Sequence, residues 1–312
     1  MRAWRVLVAA AVLLVVPVPA FGHDGDDRLA DHLERSATDE FHGSGVVVCT
    51  WGTDAATATY DVTRRDGMTM TSGPTGEFMA TAAQTVMRAG DEWYAVDFAD
   101  RSPWSLSTRY RLGPPEATMH MGRAADLYVV FDGDLPRVRL VVDRATTVPL
   151  VTEVLDGEGR VFRMAALIDL DESDVAMPAA PEPARMHMVV STDPVASLPE
   201  SLAGYRRMDT YMAAGGGVQA YYSDGLFSFS VFEAGRGATP EVFRSATAFG
   251  ASGTWYRRVV TPDRVWVHWN APDRSYVLVG DLPPDHLIAA LEDLPQPGQR
   301  ALLIRMWRRL FG

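Results

Sequence analysis

Apolar and polar residues alternate with a period of two along most of this chain, the pattern of strands that turn one face to a core. Between positions 46 and 171, strand-like runs fall at 46–51, 58–64, 77–79, 85–88, 93–97, 109–112, 117–121, 127–131, 138–142, 150–155 and 161–167. Turn signals such as Asp66-Gly67, Gly73-Pro74, Asp132-Gly133 and Asp156-Gly157-Glu158-Gly159 separate them. Short strands at this spacing predict one large antiparallel sheet, strongly curved or a partial barrel. One segment departs from the pattern. Over 28–41, Leu29, Leu33 and Ala37 recur at helical spacing, which predicts a helix ended by Gly43-Ser44-Gly45 and wrapped by the sheet.

The sharpest local signal comes later, in Tyr221-Tyr222-Ser223-Asp224-Gly225-Leu226-Phe227-Ser228-Phe229-Ser230-Val231-Phe232-Glu233. Asp-Gly favours a two-residue type I′ turn, whose central residues both need positive φ. The stretch therefore predicts a tight hairpin whose second strand opens at Leu226 and sets Phe227, Phe229 and Val231 on one face. Further runs fall at 218–223, 247–251, 254–260, 264–270 and 275–280. Pro283-Pro284 then suits the first turn of a helix with Leu287, Ile288, Leu291 and Leu294 as its apolar stripe. The fold class reads as mainly β with α+β character: a curved antiparallel half-barrel over 28–175, then a smaller α+β domain over 199–296. Residues 176–198, with Met177-Pro178-Ala179-Ala180-Pro181-Glu182-Pro183-Ala184, read as an extended linker.

Both ends of the chain have their own character. Arg2 and Arg5, an apolar run over 6–16 and Pro17-Val18-Pro19-Ala20 describe a secretory signal peptide over 1–20. The expected location is outside the cytoplasmic membrane, in the periplasm or on the extracytoplasmic face of the cell membrane. At the other end, 297–312 reads as a basic amphipathic tail helix. Arg305, Arg308 and Arg309 share one face, and Trp307 with its leucine neighbours suits contact with an anionic membrane surface. The competing reading is a helix packed on the preceding domain with its arginines solvated.

Composition narrows the chemistry. Among 312 residues the formal net charge is −11, and all 29 basic residues are arginine. An acidic body disfavours nucleic acid as a partner, because phosphate binding needs a basic face. The single cysteine, Cys49, excludes an intrachain disulfide and sits in a strand-like run as a small buried hydrophobe. No nucleotide-binding glycine loop, zinc-protease helix or serine-hydrolase elbow occurs. The triplets Met119-His120-Met121 and Met186-His187-Met188 offer copper-like donors, but on a strand the His faces away from its methionines. The sequence nominates no catalytic residue, no metal site and no cofactor.

Several segments together resemble the RseB/MucB family, periplasmic regulators of the sigma-E envelope stress response. The marker is Tyr222-Ser223-Asp224-Gly225-Leu226-Phe227-Ser228-Phe229-Ser230-Val231. Val277-Leu278-Val279-Gly280-Asp281-Leu282-Pro283, running into a helix, is similar to that family's final strand and helix. Gly43-Ser44-Gly45-Val46-Val47-Val48, Met121-Gly122-Arg123-Ala124-Ala125 and Leu155-Asp156-Gly157-Glu158-Gly159-Arg160-Val161 are similar to its first domain. The resemblance implies a lipoprotein-carrier (LolA/LolB-like) fold for that domain, with an apolar cavity for a lipid or acyl ligand. It implies that the second domain docks the extracytoplasmic domain of a membrane anti-sigma factor and shields it from a site-one protease. On that reading the protein is not an enzyme, and Tyr222, Asp224, Gly225, Leu226, Phe227 and Phe229 form the docking ridge. The alternative is a lipid or lipoprotein carrier of the cell envelope.

Overall fold

The computed structural model describes residues 40–73, 76–80, 84–89, 92–97, 109–172, 184–185, 189–190, 198–212, 217–235, 237 and 239–297. The signal peptide, all of the expected first helix before Glu40, and the tail helix with Arg305, Trp307, Arg308 and Arg309 lie outside the described residues.

The described chain folds as two sheets. In the first, β1 (Phe41–Trp51) begins a run of hairpins through β2 (Asp54–Arg65), β3 (Met68–Gly73), β4 (Gly76–Ala80), β5 (Gln84–Ala89) and β6 (Glu92–Asp97). A second group comprises β7 (Tyr110–Leu112), β8 (Glu116–His120), β9 (Arg123–Asp132), β10 (Leu135–Asp143), β11 (Pro149–Leu155) and β12 (Val161–Leu167). Strand β12 pairs with β1 and joins the two groups; β7 and β8 both pair with β9. With β13 (Ala184–Arg185) added parallel to β6, the sheet has 13 strands and does not close. It is the open curved sheet that the strand spacing implies.

The second sheet has nine strands. They are β14 (Val189–Val190), β15 (Ser201–Leu202), β16 (Tyr205–Met212), β17 (Val218–Ser223) and β18 (Ser228–Gly235), then β19 (Thr247–Ala251), β20 (Thr254–Val260), β21 (Val265–Asn270) and β22 (Arg274–Gly280). Its order is β14-β16-β17-β18-β22-β21-β20-β19, with β15 on β16. One α-helix occurs among the described residues, α1 (Pro284–Glu292).

Three expectations change. First, Gly43 and Gly45 do not end a helix; they lie inside β1, paired with Val62 and Tyr60 of β2. A side chain at Gly43 would strike the Asp169 carbonyl, and the Tyr60 ring lies across Gly45, its Cε1 2.7 Å from where a Cβ would stand. These glycines permit close approach within a sheet. Second, within the expected linker 176–198 the described residues 184–185 and 189–190 pair as β13 on one sheet and β14 on the other. Third, β16 was not visible as a strand, because the register against β17 shifts between Arg207 and Asp209 and breaks the alternation there.

The sheets share one core. Cys49, Val130, Val138, Val154 and Phe162 of the first join Phe227, Phe229, Val231, Val267, Trp269 and Leu278 of the second in a single buried cluster. Helix α1 inserts Leu287, Ala290 and Leu291 into it, and Leu294 just beyond the helix is buried there too. The opposite side of the second sheet buries Phe232, Phe243, Trp266, Val277 and Val279. Strand β18 is therefore buried on both faces, which is why Phe232 interrupts the polar alternation. Elsewhere on the first sheet, the register sets Val46, Ala166, Val151, Val141 and Leu127 side by side across β1, β12, β11, β10 and β9. All but Ala166 in that aliphatic row are half-buried.

Candidate functional site

The marker stretch forms the β17–β18 connection, and its turn is looser than Asp-Gly alone predicts. Ser223 pairs with Ser228, so Asp224-Gly225-Leu226-Phe227 make a four-residue loop. Only Gly225 has positive φ, at 92°. Asp224 Oδ1 accepts the backbone N–H groups of Leu226 (3.0 Å) and Phe227 (2.9 Å). Ser223 Oγ accepts the Gly225 N–H at 3.1 Å and donates to the Phe227 carbonyl at 3.0 Å. An Asp side chain that captures backbone donors in this way stabilises an Asx-type loop in place of the tighter turn. The resulting register sets Tyr222 opposite Phe229 with their rings stacked at 5.1 Å, and drops Phe227 into the shared core.

The loop is the centre of a polar joint between the sheets. From the first sheet, Tyr110 Oη donates to Asp224 Oδ2 at 2.5 Å, and Arg109 Nη1 lies 3.9 Å from the same oxygen. Arg109 donates from Nε (2.8 Å) and Nη2 (2.6 Å) to Asp132 Oδ2 at the end of β9. From β10, buried Arg137 sets Nη1 2.8 Å from Asp285 Oδ2 of α1, an ionic contact without hydrogen-bond alignment. The Gly157 N–H, in the β11–β12 turn, donates to Asp285 Oδ1 at 3.0 Å. His286 bonds Tyr205 Oη through Nδ1 (2.6 Å) and Arg109 Nη2 through Nε2 (3.3 Å). Arginine can only donate, so Nε2 must accept; the ring proton therefore sits on Nδ1 and is given to the Tyr205 oxygen.

Electrostatics follow from this geometry. Burial first, then the Asp224 carboxylate, pushes the Tyr110 phenol far above its ordinary range. Burial raises Tyr205 in the same sense. The Arg109 hydrogen bond holds Asp132 below the usual carboxylate range. Burial, reinforced by Arg137, lowers His286 to about 4. Both nitrogens of its histidine are engaged, and the ring is buried. Such an arrangement ties the marker loop and α1 to the first sheet.

Of the six nominated docking residues, Tyr222, Asp224, Phe227 and Phe229 are buried, while Gly225 and Leu226 are half-buried at the loop tip. The structure thus brings all six to one hairpin end and buries four of them. The sequence reading missed Arg109, Tyr110, Asp132, Arg137, Tyr205, Asp285 and His286. Their signal was chemical type without local spacing, since they come from five separated places along the chain.

A second staple lies at the other end of the sheet contact. Arg258 of β20 donates from Nε to Asp54 Oδ2 (2.9 Å) and from Nη2 to the Trp51 carbonyl (3.0 Å). Its guanidinium stacks 4.5 Å from the Trp51 ring centre. Between the staples Arg163 donates to the Asp263 carbonyl at 3.1 Å and lies 3.6 Å from Asp281 Oδ2. Arg258→Met keeps the apolar stem but loses two hydrogen bonds and the cation–π contact. A loss of about 2 kcal/mol is expected, read as a lower urea midpoint at unchanged slope. Of the two copper-like triplets, only the first is described: His120 Nε2 bonds the Leu167 carbonyl at 3.1 Å, and Met119 is exposed.

No protein-family model and no curated protein sequence matches the chain. Among solved structures it is similar to MucB in complex with MucA(peri), at 20% identity, covering 86% of this chain and 99% of that one, with a TM-score of 0.49. It is also similar to the Pseudomonas aeruginosa MucA/MucB complex, at 19% identity over 86% and 99% of the two chains, TM-score 0.47. A LolA superfamily protein from Nitrosomonas europaea aligns over 82% of this chain and 94% of its own, at 10% identity and a TM-score of 0.21.

Proposed function

We propose that this chain is an exported, non-enzymatic negative regulator of an extracytoplasmic-function sigma factor pathway. It binds the extracytoplasmic domain of a membrane anti-sigma factor and shields it from proteolysis. The observation that carries the reading is convergence. Three segments that carry the family resemblance, distant in sequence, meet at one joint. Asp224 from the marker loop takes Tyr110, Asp281 from the 277–283 segment accepts the Ser228 N–H at 2.9 Å, and Gly157 from the 155–161 turn donates to Asp285 of α1. The Asp224 and Gly157 contacts cross from one sheet to the other or to α1, and Asp281 also faces Arg163 of the first sheet at 3.6 Å. In the proposal Gly225 and Leu226 meet the partner, and the four buried residues hold the loop in shape.

The aliphatic row of Val46, Val151, Val141 and Leu127 supports a second element of the reading, a lipid or acyl ligand that competes with the partner. The same row favours the alternative, a lipid or lipoprotein carrier. The test uses the chain from residue 21 and the extracytoplasmic segment of a single-span anti-sigma factor from the same organism. Binding together with slower cleavage of the segment by its site-one protease is the expected result. Absence of both binding and shielding overturns the regulator; extractable acyl chains on a protein that ignores the segment establish the carrier.

A further inference from the structure

His286 is the one group in the joint whose ordinary titration range lies between neutral and mildly acidic pH. Every charged or titratable neighbour can be named. Tyr205 faces it from β16, Arg109 from the start of β7, Asp132 from β9, Arg137 from β10, Asp224 from the marker loop and Asp285 from its own helix, with Tyr110 one step behind on Asp224. The Phe227 ring packs edge-on at 5.7 Å. Arg109 Nη2 lies 3.3 Å from Nε2, and the oxygens of Asp132 and Asp285 stand farther off, at 3.8 and 3.9 Å, while Arg137 adds the larger cationic influence on the ring. The closed joint needs Nε2 as an acceptor. A proton there replaces a hydrogen bond with two donors pointing at each other, one of them already cationic, in a site where His286 is 5% exposed.

We propose that the joint is an acid-sensitive latch: protonation of His286 breaks its contact with Arg109 and releases the Asp224 loop and the start of α1 from the first sheet while the sheets themselves stay folded. The same proton that opposes the closed joint is welcome once it opens, because the ring is then hydrated and the flanking carboxylates are free to pair with it. This latch does not depend on the identity of the partner. It would couple acidification outside the membrane to the shape of the loop that carries Gly225 and Leu226.

The sign follows from linkage. The histidine is held down to about 4 in the closed joint, against about 6.5 when free. The closed form is therefore undisturbed above pH 6.5 and loses ground steadily as pH falls from there toward 4. One proton sets the limit at about tenfold in the opening equilibrium per pH unit within that window. Neighbouring Asp132 is held below its ordinary range and Tyr110 and Tyr205 far above theirs, so these groups keep one charge state throughout.

Amide hydrogen exchange on the full chain tests the latch, with rates corrected for the intrinsic pH dependence. The Gly157 N–H donates to Asp285, and the Leu226 and Phe227 N–H groups donate to Asp224, so these amides report the joint. Between pH 7 and pH 4.5 their protection is expected to fall by about tenfold or more, while β1 amides paired with β12 keep theirs. His286→Gln, which still accepts from Arg109 and donates to Tyr205 without titrating, is expected to give a flat profile. Protection that does not change with pH in the unsubstituted chain overturns the latch, whatever the variant does. So does an equal fall in β1, which would mean global unfolding, or a fall that persists in the glutamine variant.

Discussion

Asp224→Ala is expected to remove about 3–5 kcal/mol of stability, the loss typical of breaking a buried charged network from one side. The side chain of Asp224 is 1% exposed and serves three donors at once: the Tyr110 hydroxyl and the N–H groups of Leu226 and Phe227. Alanine leaves all three without their acceptor, the Tyr110 hydroxyl and the Phe227 N–H in buried positions, and leaves Arg109 with one carboxylate fewer. Asp224→Asn separates the two roles. Its amide oxygen still serves the loop N–H groups, while its NH₂ faces the Tyr110 oxygen as a donor, so the charge and the acceptor for the Tyr110 hydroxyl are lost but the loop bonding is kept. Less than half of the alanine effect is expected, measured by chemical denaturation of both variants at pH 7. Equal losses would show that the charge and the Tyr110 hydrogen bond, not the loop bonding, hold the joint.

Gly280→Ala is expected to be nearly as damaging, at about 3 kcal/mol, although it adds a single methyl group. Gly280 ends β22, paired with Phe229 on one side and Val265 on the other. A Cβ there would collide with Phe229 Cβ and stand 2.7 Å from the Ser228 carbonyl oxygen. Backbone cannot yield as a flexible side chain would, so β18 and β22 must separate where the sheet meets the joint. The next residue, Asp281, holds the Ser228 N–H and faces Arg163, so the damage reaches the sheet contact. Gly250→Ala supplies the control, because a Cβ there meets nothing nearer than the Thr254 carbonyl at 3.9 Å. It is expected to change stability by less than about 1 kcal/mol. Similar thermal denaturation midpoints for the two variants would refute the steric argument.

Much of the fold is legible because it is local. Period-two alternation marks most strands of both sheets, and Pro283-Pro284 with the stripe Leu287, Leu291 and Leu294 marks α1. Where a local rule failed, a longer-range contact had overruled it. Gly43 and Gly45 looked like a helix stop because glycine between polar residues breaks helices; only the Tyr60 ring and the Asp169 carbonyl show that they admit neighbours across a sheet. Strand β16 escaped notice because its bulge at Met208 resets the alternation. The Asp224-Gly225 pair was read correctly as a turn but with the wrong length, because the Asp side chain bonds the loop and the core takes Phe227.

The marker residues themselves were visible in the sequence; what they do was not. Tyr222, Asp224, Phe227 and Phe229 read as part of a docking ridge, whereas all four are buried. The sequence by itself determined that this is a mainly β chain, acidic, without an evident catalytic motif, with its most specific stretch in the second half. Only the tertiary structure decided that this stretch is a joint. Spacing along a chain reports which face a residue shares with its neighbours, but pairing between Arg109 and Asp132, or between Tyr110 and Asp224, is a choice among many carboxylates of equal charge. That choice is made by the packing of two sheets and one helix around a shared core, which no local period encodes.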